Sequence, residues 1–324
     1  MSVRGHRGGA LFCALATALL AFLFRDAILH GDVLGQADCL FAFPPWDAHR
    51  PPGWRIRNPL LGDVPTVFYP FLLHARSVML AGGFPLWNSA VGTGQPFFAA
   101  FQTAVLSPFS AVAYVLPFPA GFTAAVAARL FVGGLGMYVF LRRLPLSVEA
   151  SIFGGVAFLL NPFSVVWLEH PLSAVAAWTP WLLATVDRCA RSGDRRSVAA
   201  FAAVVAVTIL AGHPETAFKV FLFTGSYAVY RATASGRMTR TLAVVCGGAL
   251  LGALLCSIQL LPFLEYVAHS RVFAMRASDG RPLFLNPASS FVTAFVPDLY
   301  GTPLVHRFAL DGTNYNEQDR KSVV

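Results

Sequence analysis

The sequence predicts an all-α polytopic membrane protein with about seven transmembrane helices and two long extracytoplasmic loops. Three observations carry that reading. Of 324 residues, 56% are hydrophobic and 12% charged, and the mean hydropathy is +0.60, which leaves too little polar surface to cover a water-soluble globule. The apolar residues fall in separate blocks, each suited as a helix to a hydrocarbon layer roughly 30 Å thick. The hinges between the blocks are dense in arginine.

The first block, 8–24, follows Arg4 and Arg7 and looks like a secretory signal. No small-residue cleavage site precedes Arg25-Asp26, so it reads as a retained anchor. Six further blocks lie near 120–141, 149–168, 172–187, 198–212, 217–230 and 241–262. Arg142, Arg143, Arg188, Arg191, Arg195, Arg196, Arg231, Arg237 and Arg240 sit in alternate hinges, together with Arg4 and Arg7 before the first block. The positive-inside rule puts these hinges and the N-terminus in the cytoplasm. Residues 25–119 and 263–324 then lie outside, and with them every carboxylate except Glu149, Asp187 and Asp194.

The net charge of +8 orients the protein in its membrane. A nucleic-acid surface would cluster the basic residues among exposed aromatics, and no nucleic-acid partner is expected. Of the five cysteines only Cys39 falls outside, which leaves no external disulfide framework.

Within the first outer loop, Val64, Val67, Phe68, Phe71, Leu72, Ala75, Val78 and Met79 recur with helical spacing. They predict a surface helix over 63–82, with Asp63 as N-cap, a kink at Pro70, a stop at Gly82-Gly83 and its apolar stripe on the lipid. The apolar segment 97–118 contains Gln102 and Pro108 and reads as a re-entrant or interfacial piece packed on the bundle.

Soluble-enzyme signatures are missing: there is no phosphate-binding glycine loop, no paired-cysteine metal site and no nucleophile elbow. No metal or cofactor is expected. Three outer features remain. Asp38, Asp47 and Asp63 lie among Trp46, Trp54 and Trp87, where a carboxylate beside aromatic rings suits a general base acting on a sugar hydroxyl. The plainer reading is a helix cap within an interfacial aromatic belt. His170 and His213 each precede a proline at the outer end of a block, where they could bind phosphate or relay a proton, or simply turn a helix end. Arg129 lies near the middle of its block, where a charge is costly unless it faces a bundle or cavity. It could hold a lipid phosphate or pair structurally. Lys219, four residues after Glu215, pairs with it or snorkels.

The run from Asp63 through Tyr69-Pro70-Phe71, Gly82-Gly83-Phe84-Pro85-Leu86-Trp87-Asn88, Gly94-Gln95-Pro96 and Gln102 to Ser107-Pro108 resembles the first outer loop of the YfhO family, members of the GT-C glycosyltransferase superfamily. Arg142-Arg143, His170, Gly212-His213-Pro214, Tyr300-Gly301 and Asn314-Tyr315-Asn316-Glu317 extend the likeness over nearly all of the chain. The resemblance implies a bacterial cytoplasmic-membrane enzyme with a GT-C-like bundle. Such an enzyme transfers a sugar from a polyprenyl-phosphate carrier to a cell-envelope glycan or lipid on the extracytoplasmic face. It makes Asp63 the candidate catalytic base, with Asp38 its competitor. Arg129, His170, His213, Glu215, Lys219, Trp87, Asn88, Gln95 and Gln102 become candidate substrate contacts. It also implies further spans beyond the second outer loop, where this chain ends in Asp319-Arg320-Lys321-Ser322-Val323-Val324. Two competing readings are a transporter or lipid flippase, which would set its polar groups near the midplane in broken helices, and a non-catalytic envelope-assembly protein.

Overall fold

The computed structural model describes residues 3–35, 37–56 and 61–271, and beyond these Val292, Val296, Leu299, Gly301, Thr302, Arg307 and Phe308. The expectations placed on Tyr300 and 314–317 fall outside the described residues. Contacts divide the chain into two units. One comprises the residues up to Leu34 together with Phe68–Phe263, and the other Gly35–Val67 with the residues from Leu264 onward.

The first unit is a bundle of helices. α1 (Val3–Leu23) leads into the short α2 (Arg25–His30), which ends on Gly31 in the left-handed conformation. After α3 (Tyr69–Leu80) and α4 (Pro108–Val115) come α5 (Ala120–Leu141), α6 (Val148–Leu159), α7 (Pro162–Val166), α8 (Pro171–Ala176) and α9 (Thr179–Arg191). α10 (Arg195–Leu210), α11 (Pro214–Ala234), α12 (Met238–Leu255) and α13 (Ser257–Ala268) complete it, the last residues of α13 passing into the second unit. Helices α5 and α12 and the run Val148–Val166 are long and apolar enough to cross a membrane, and Arg7–Leu23 forms a shorter apolar helix. The chain is an all-helical membrane protein, its described strands confined to two-residue pairs.

Local chemistry sets the helix ends. Ser147 accepts from the Ala150 N–H at the start of α6, and Asp194 from the Ser197 N–H at the start of α10, each satisfying a first-turn donor. The block predicted as one helix over 149–168 breaks after Leu160, because Asn161 caps a new helix that Pro162 opens. The block 172–187 likewise divides between α8 and α9, where Pro180 lacks the N–H needed to continue α8. The block 241–262 divides at Cys256.

Glycine lets neighbouring helices of the bundle approach closely. A Cβ on Gly134 of α5 would meet the Gly155 carbonyl of α6 at 3.0 Å, and one on Gly252 of α12 would meet Val205 of α10 at 2.6 Å. The core at that second crossing gathers Leu182, Val186, Phe201, Val205, Ile209 and Val245.

One charged cluster belongs to this packing. Asp187 on α9 is fully buried, with Arg191 Nε and Arg231 Nη2 each 2.8 Å from its carboxylate, though neither N–H is aimed squarely at an oxygen. Arg191 also donates to the Arg143 carbonyl, and Arg143 to the Ala184 carbonyl. The cluster ties α5, α9 and α11 together.

The helix predicted over 63–82 starts differently from the expectation. Asp63 leads into a π-helical turn over Val64–Phe68, and regular α-helix begins only at Tyr69. Pro65 and Pro70 each remove a backbone donor, and the Gly62 carbonyl accepts from both the N–H and hydroxyl of Thr66. The helix stops where the double glycine predicts, with Gly82 left-handed. Its apolar stripe faces protein: Phe71, Leu72, Ala75 and Met79 pack on Phe97, Phe98, Val105 and Tyr114. The other side is engaged too, since Arg76 donates to the Leu116 carbonyl and His74 Nε2 lies 3.1 Å from the Trp87 carbonyl.

The segment 97–118 packs on the bundle through a tight turn and the eight-residue α4. Gln259 donates to the Phe98 carbonyl at 2.8 Å, Thr103 to the Phe97 carbonyl and Tyr114 to the Val105 carbonyl. Phe101 and Ala104 take left-handed backbone (φ 64° and 49°), a strained state for residues with a Cβ that persists only when the surroundings over-determine it.

Candidate functional site

Arg129 sits on α5 nine residues past its start, roughly 13 Å along the helix axis. A guanidinium at that depth needs partners. Its Nη1 donates to the His170 carbonyl at 3.2 Å and, at 3.5 Å, to that of Leu168, while its Nε is buried without a hydrogen-bond partner among the described residues. The break at Leu160–Asn161 and the turn before Pro171 bring these carbonyls to the arginine.

Arg129 lines a cavity of about 40 Å³, with Glu169, Gln102, Thr103, Ser110 and the rings of Phe68, Phe71 and Phe122. That volume holds about three water-sized groups, enough for a phosphoryl or hydroxyl group and too little for a sugar ring. Glu169 makes no ion pair within 4 Å among the described residues, so the arginine and the carboxyl face one space without closing on each other. Burial pushes the Glu169 carboxyl up to about 7, with Arg129 pulling it part of the way back. Tyr69 is 8% exposed, and its hydroxyl is buried without a hydrogen-bond partner among the described residues. Burial and the nearby Glu169 charge raise its pKa, keeping the phenol neutral.

The remaining sequence candidates lie as follows. His170 is buried, its ring edge-on to Phe68 and Trp167. His213 caps α11, with Nδ1 accepting from the Thr216 N–H at 3.2 Å. The two histidines sit at the starts of helices that pack together, α8 and α11, and each ring is engaged locally. Lys219 pairs with Glu215 on the exposed side of α11, and neither lines the cavity.

Trp87, Asn88 and Gln95 belong to a small hairpin, β1 (Trp87–Asn88) against β2 (Gln95–Pro96), in which Asn88 faces Gln95. The buried Asn88 accepts from the Ala90 N–H. The Trp87 indole lies over left-handed Gly94, where a Cβ would collide with it. Turn geometry thus accounts for the spacing of the Trp-Asn and Gly-Gln-Pro elements. Asp63 is exposed, and it and Asp38, in a 3-10 turn over Ala37–Ala42, belong to the second unit. Of the predicted contacts, Arg129 and Gln102 meet in the cavity and His170 adjoins it through its carbonyl. Glu169 and Tyr69 are functional candidates that sequence reasoning passed over. Adjacency to His170-Pro171 was the available signal for Glu169.

A second, apolar cavity of about 590 Å³ lies along the same helix. α1, α2 and α5 line it with Thr17, Leu20, Phe24, Thr123, Ala127 and Phe131, among others.

A family model described as "6-pyruvoyl-tetrahydropterin synthase related domain; membrane protein" matches residues 97–294. The match takes in Gln102, Arg129 and Glu169 and leaves out Asp38, Asp63 and Tyr69. No curated protein and no solved structure matches the chain. Since that match covers more than half of its length, the chain belongs to this family of membrane proteins.

Proposed function

We propose that the protein is a GT-C-type glycosyltransferase of a bacterial cytoplasmic membrane, akin to the YfhO family. It takes a sugar from a polyprenyl-phosphate carrier and transfers it to an envelope glycan or lipid on the extracytoplasmic face. In this reading the chain crosses the membrane about seven times with its N-terminus in the cytoplasm.

The observation that carries the proposal is Arg129. A buried guanidinium with an unused Nε, opening on a cavity the size of a phosphoryl group, suits a phosphate through charge-assisted hydrogen bonds. Gln102, Thr103 and Ser110 line the space the phosphoryl group would enter and would hydrogen-bond its oxygens, with the sugar held at the cavity's mouth. The apolar cavity on the neighbouring face of α5 would take part of the polyprenyl chain. A phosphate leaves without being protonated, so one carboxylate suffices, whereas glycosidases need two. Asp63 and Asp38 are the sequence's candidates for that carboxylate.

The test is transfer of radiolabel from a panel of undecaprenyl-phosphate hexoses into extracted envelope lipid and glycan by the full chain in nanodiscs. The expected result is transfer from at least one donor, lost on Arg129→Met. Equal transfer by wild type and Arg129→Met would contradict the phosphate role.

A further inference from the structure

We infer that Glu169 is the general base of this pocket, working opposite Arg129. This rests on the glycosyl-transfer reading and deepens it. Three features set Glu169 apart from the aspartates read from sequence. It lines the same cavity as the buried arginine. No ion pair occupies its carboxylate among the described residues. The buried, otherwise unpartnered hydroxyl of Tyr69 lies close enough to feel its charge.

A base works best with a pKa near the working pH, and burial brings Glu169 to about 7. The groups around it are Arg129 from α5, Tyr69 from α3, Gln102 and Thr103 from the strained turn, Ser110 from α4, and the adjacent His170. Arg129 supplies the positive charge among them, so a phosphate bound there offsets the charge that otherwise pulls the Glu169 pKa down.

The step balances without a co-reactant beyond donor and acceptor. The Glu169 carboxylate removes the proton from the acceptor hydroxyl while that oxygen bonds to the anomeric carbon. The bond from the anomeric carbon to the phosphate oxygen breaks, and its electron pair leaves with the polyprenyl phosphate, which Arg129 holds. The proton then passes from Glu169 to solvent.

The test uses the full chain in nanodiscs with two readouts: transfer from undecaprenyl-phosphate hexose against pH, and binding of farnesyl phosphate as a short polyprenyl phosphate. In the wild type, transfer should rise about tenfold per pH unit below about 7 and level off above it. Glu169→Gln should lower transfer about a hundredfold or more while binding farnesyl phosphate at least as tightly as wild type. That retained binding separates loss of a base from loss of the fold. Glu169→Asp should keep part of the activity, with its rising limb moved to lower pH. Transfer by Glu169→Gln within tenfold of wild type, with the limb unchanged, would overturn the assignment and return the role to Asp63 or Asp38. A wild type that binds farnesyl phosphate but transfers no hexose would overturn the glycosyl-transfer reading, and this assignment with it.

Discussion

The helical unit contains two buried meetings of arginine and carboxylate, and they are built in opposite ways. At Asp187 a fully buried carboxylate lies 2.8 Å from each of two arginines, one of which, Arg191, reaches on to the Arg143 carbonyl. At Arg129 the guanidinium and the Glu169 carboxyl share a cavity with no ion pair between them. Desolvating a charge costs several kcal/mol unless a partner offsets it. The first cluster meets that cost within the protein, and the second leaves part of it to whatever enters the cavity. Ion pairing marks a structural tie, and an unpaired arginine and carboxyl facing one cavity mark a site.

Breaking the closed cluster should have the largest effect on stability. Asp187→Asn leaves two arginines without their counter-charge and should cost about 3 kcal/mol, the low end of the range for a broken buried pair, because Arg191 is half exposed and stays hydrated. Thermal unfolding in detergent would measure it. Arg129→Met, by contrast, removes a charge the protein has not fully paired, and the same assay should move by no more than about 1 kcal/mol. If both variants were equally destabilised, the two clusters would be the same kind of object.

The next effect tests the wall of the open cluster. Gly212 has φ 95°, and a Cβ there would meet the Ala104 Cβ at 2.5 Å, beside the strained turn that carries Gln102 and Thr103 to the cavity. Gly212→Ala should cost about 2 kcal/mol through backbone strain and overpacking, with weaker farnesyl phosphate binding as the turn shifts. Destabilisation with unchanged binding would separate the turn from the site.

The smallest effect is a pH slope. Burial raises the folded pKa of Glu169 to about 7 from its ordinary 4.5, so the folded state binds the proton more tightly than the unfolded state does. Its contribution favours folding most below about 4.5, falls as pH rises toward about 7, and is flat above. The difference in melting temperature between wild type and Glu169→Gln should trend in that window and level off beyond it. A flat difference would mean that Glu169 is solvated like a surface carboxyl.

Much of the fold was legible because lipid imposes a coarse rule: a helix must be long and apolar to span, which makes α5 and α12 readable from hydropathy. Interruptions were harder. The break at Asn161-Pro162 is a local cap inside an apolar run, and the break before Pro180 depends on how α8 meets α9. The break at Asn161-Pro162 and the turn before Pro171 deliver the carbonyls of Leu168 and His170 to Arg129. Depth made Arg129 conspicuous, since charge in an apolar block stands out. Glu169 sits in a short polar turn where a carboxylate is unremarkable, and only packing against α3 and α5 buries it. The Trp87-Asn88 and Gly94-Gln95-Pro96 elements drew the eye as a motif, and the hairpin they form shows that their spacing encodes a turn.

The most direct test of the difference between the two clusters is farnesyl phosphate binding to the full chain in nanodiscs, measured for wild type and Arg129→Met at equal folded fraction. The charge-assisted hydrogen bonds at stake are worth about 1.5 to 3 kcal/mol, so Arg129→Met should weaken binding by roughly 10- to 150-fold while its melting temperature holds. Unchanged affinity, or a loss of affinity that merely follows a loss of fold, would contradict the account and make Arg129 a structural group like Asp187.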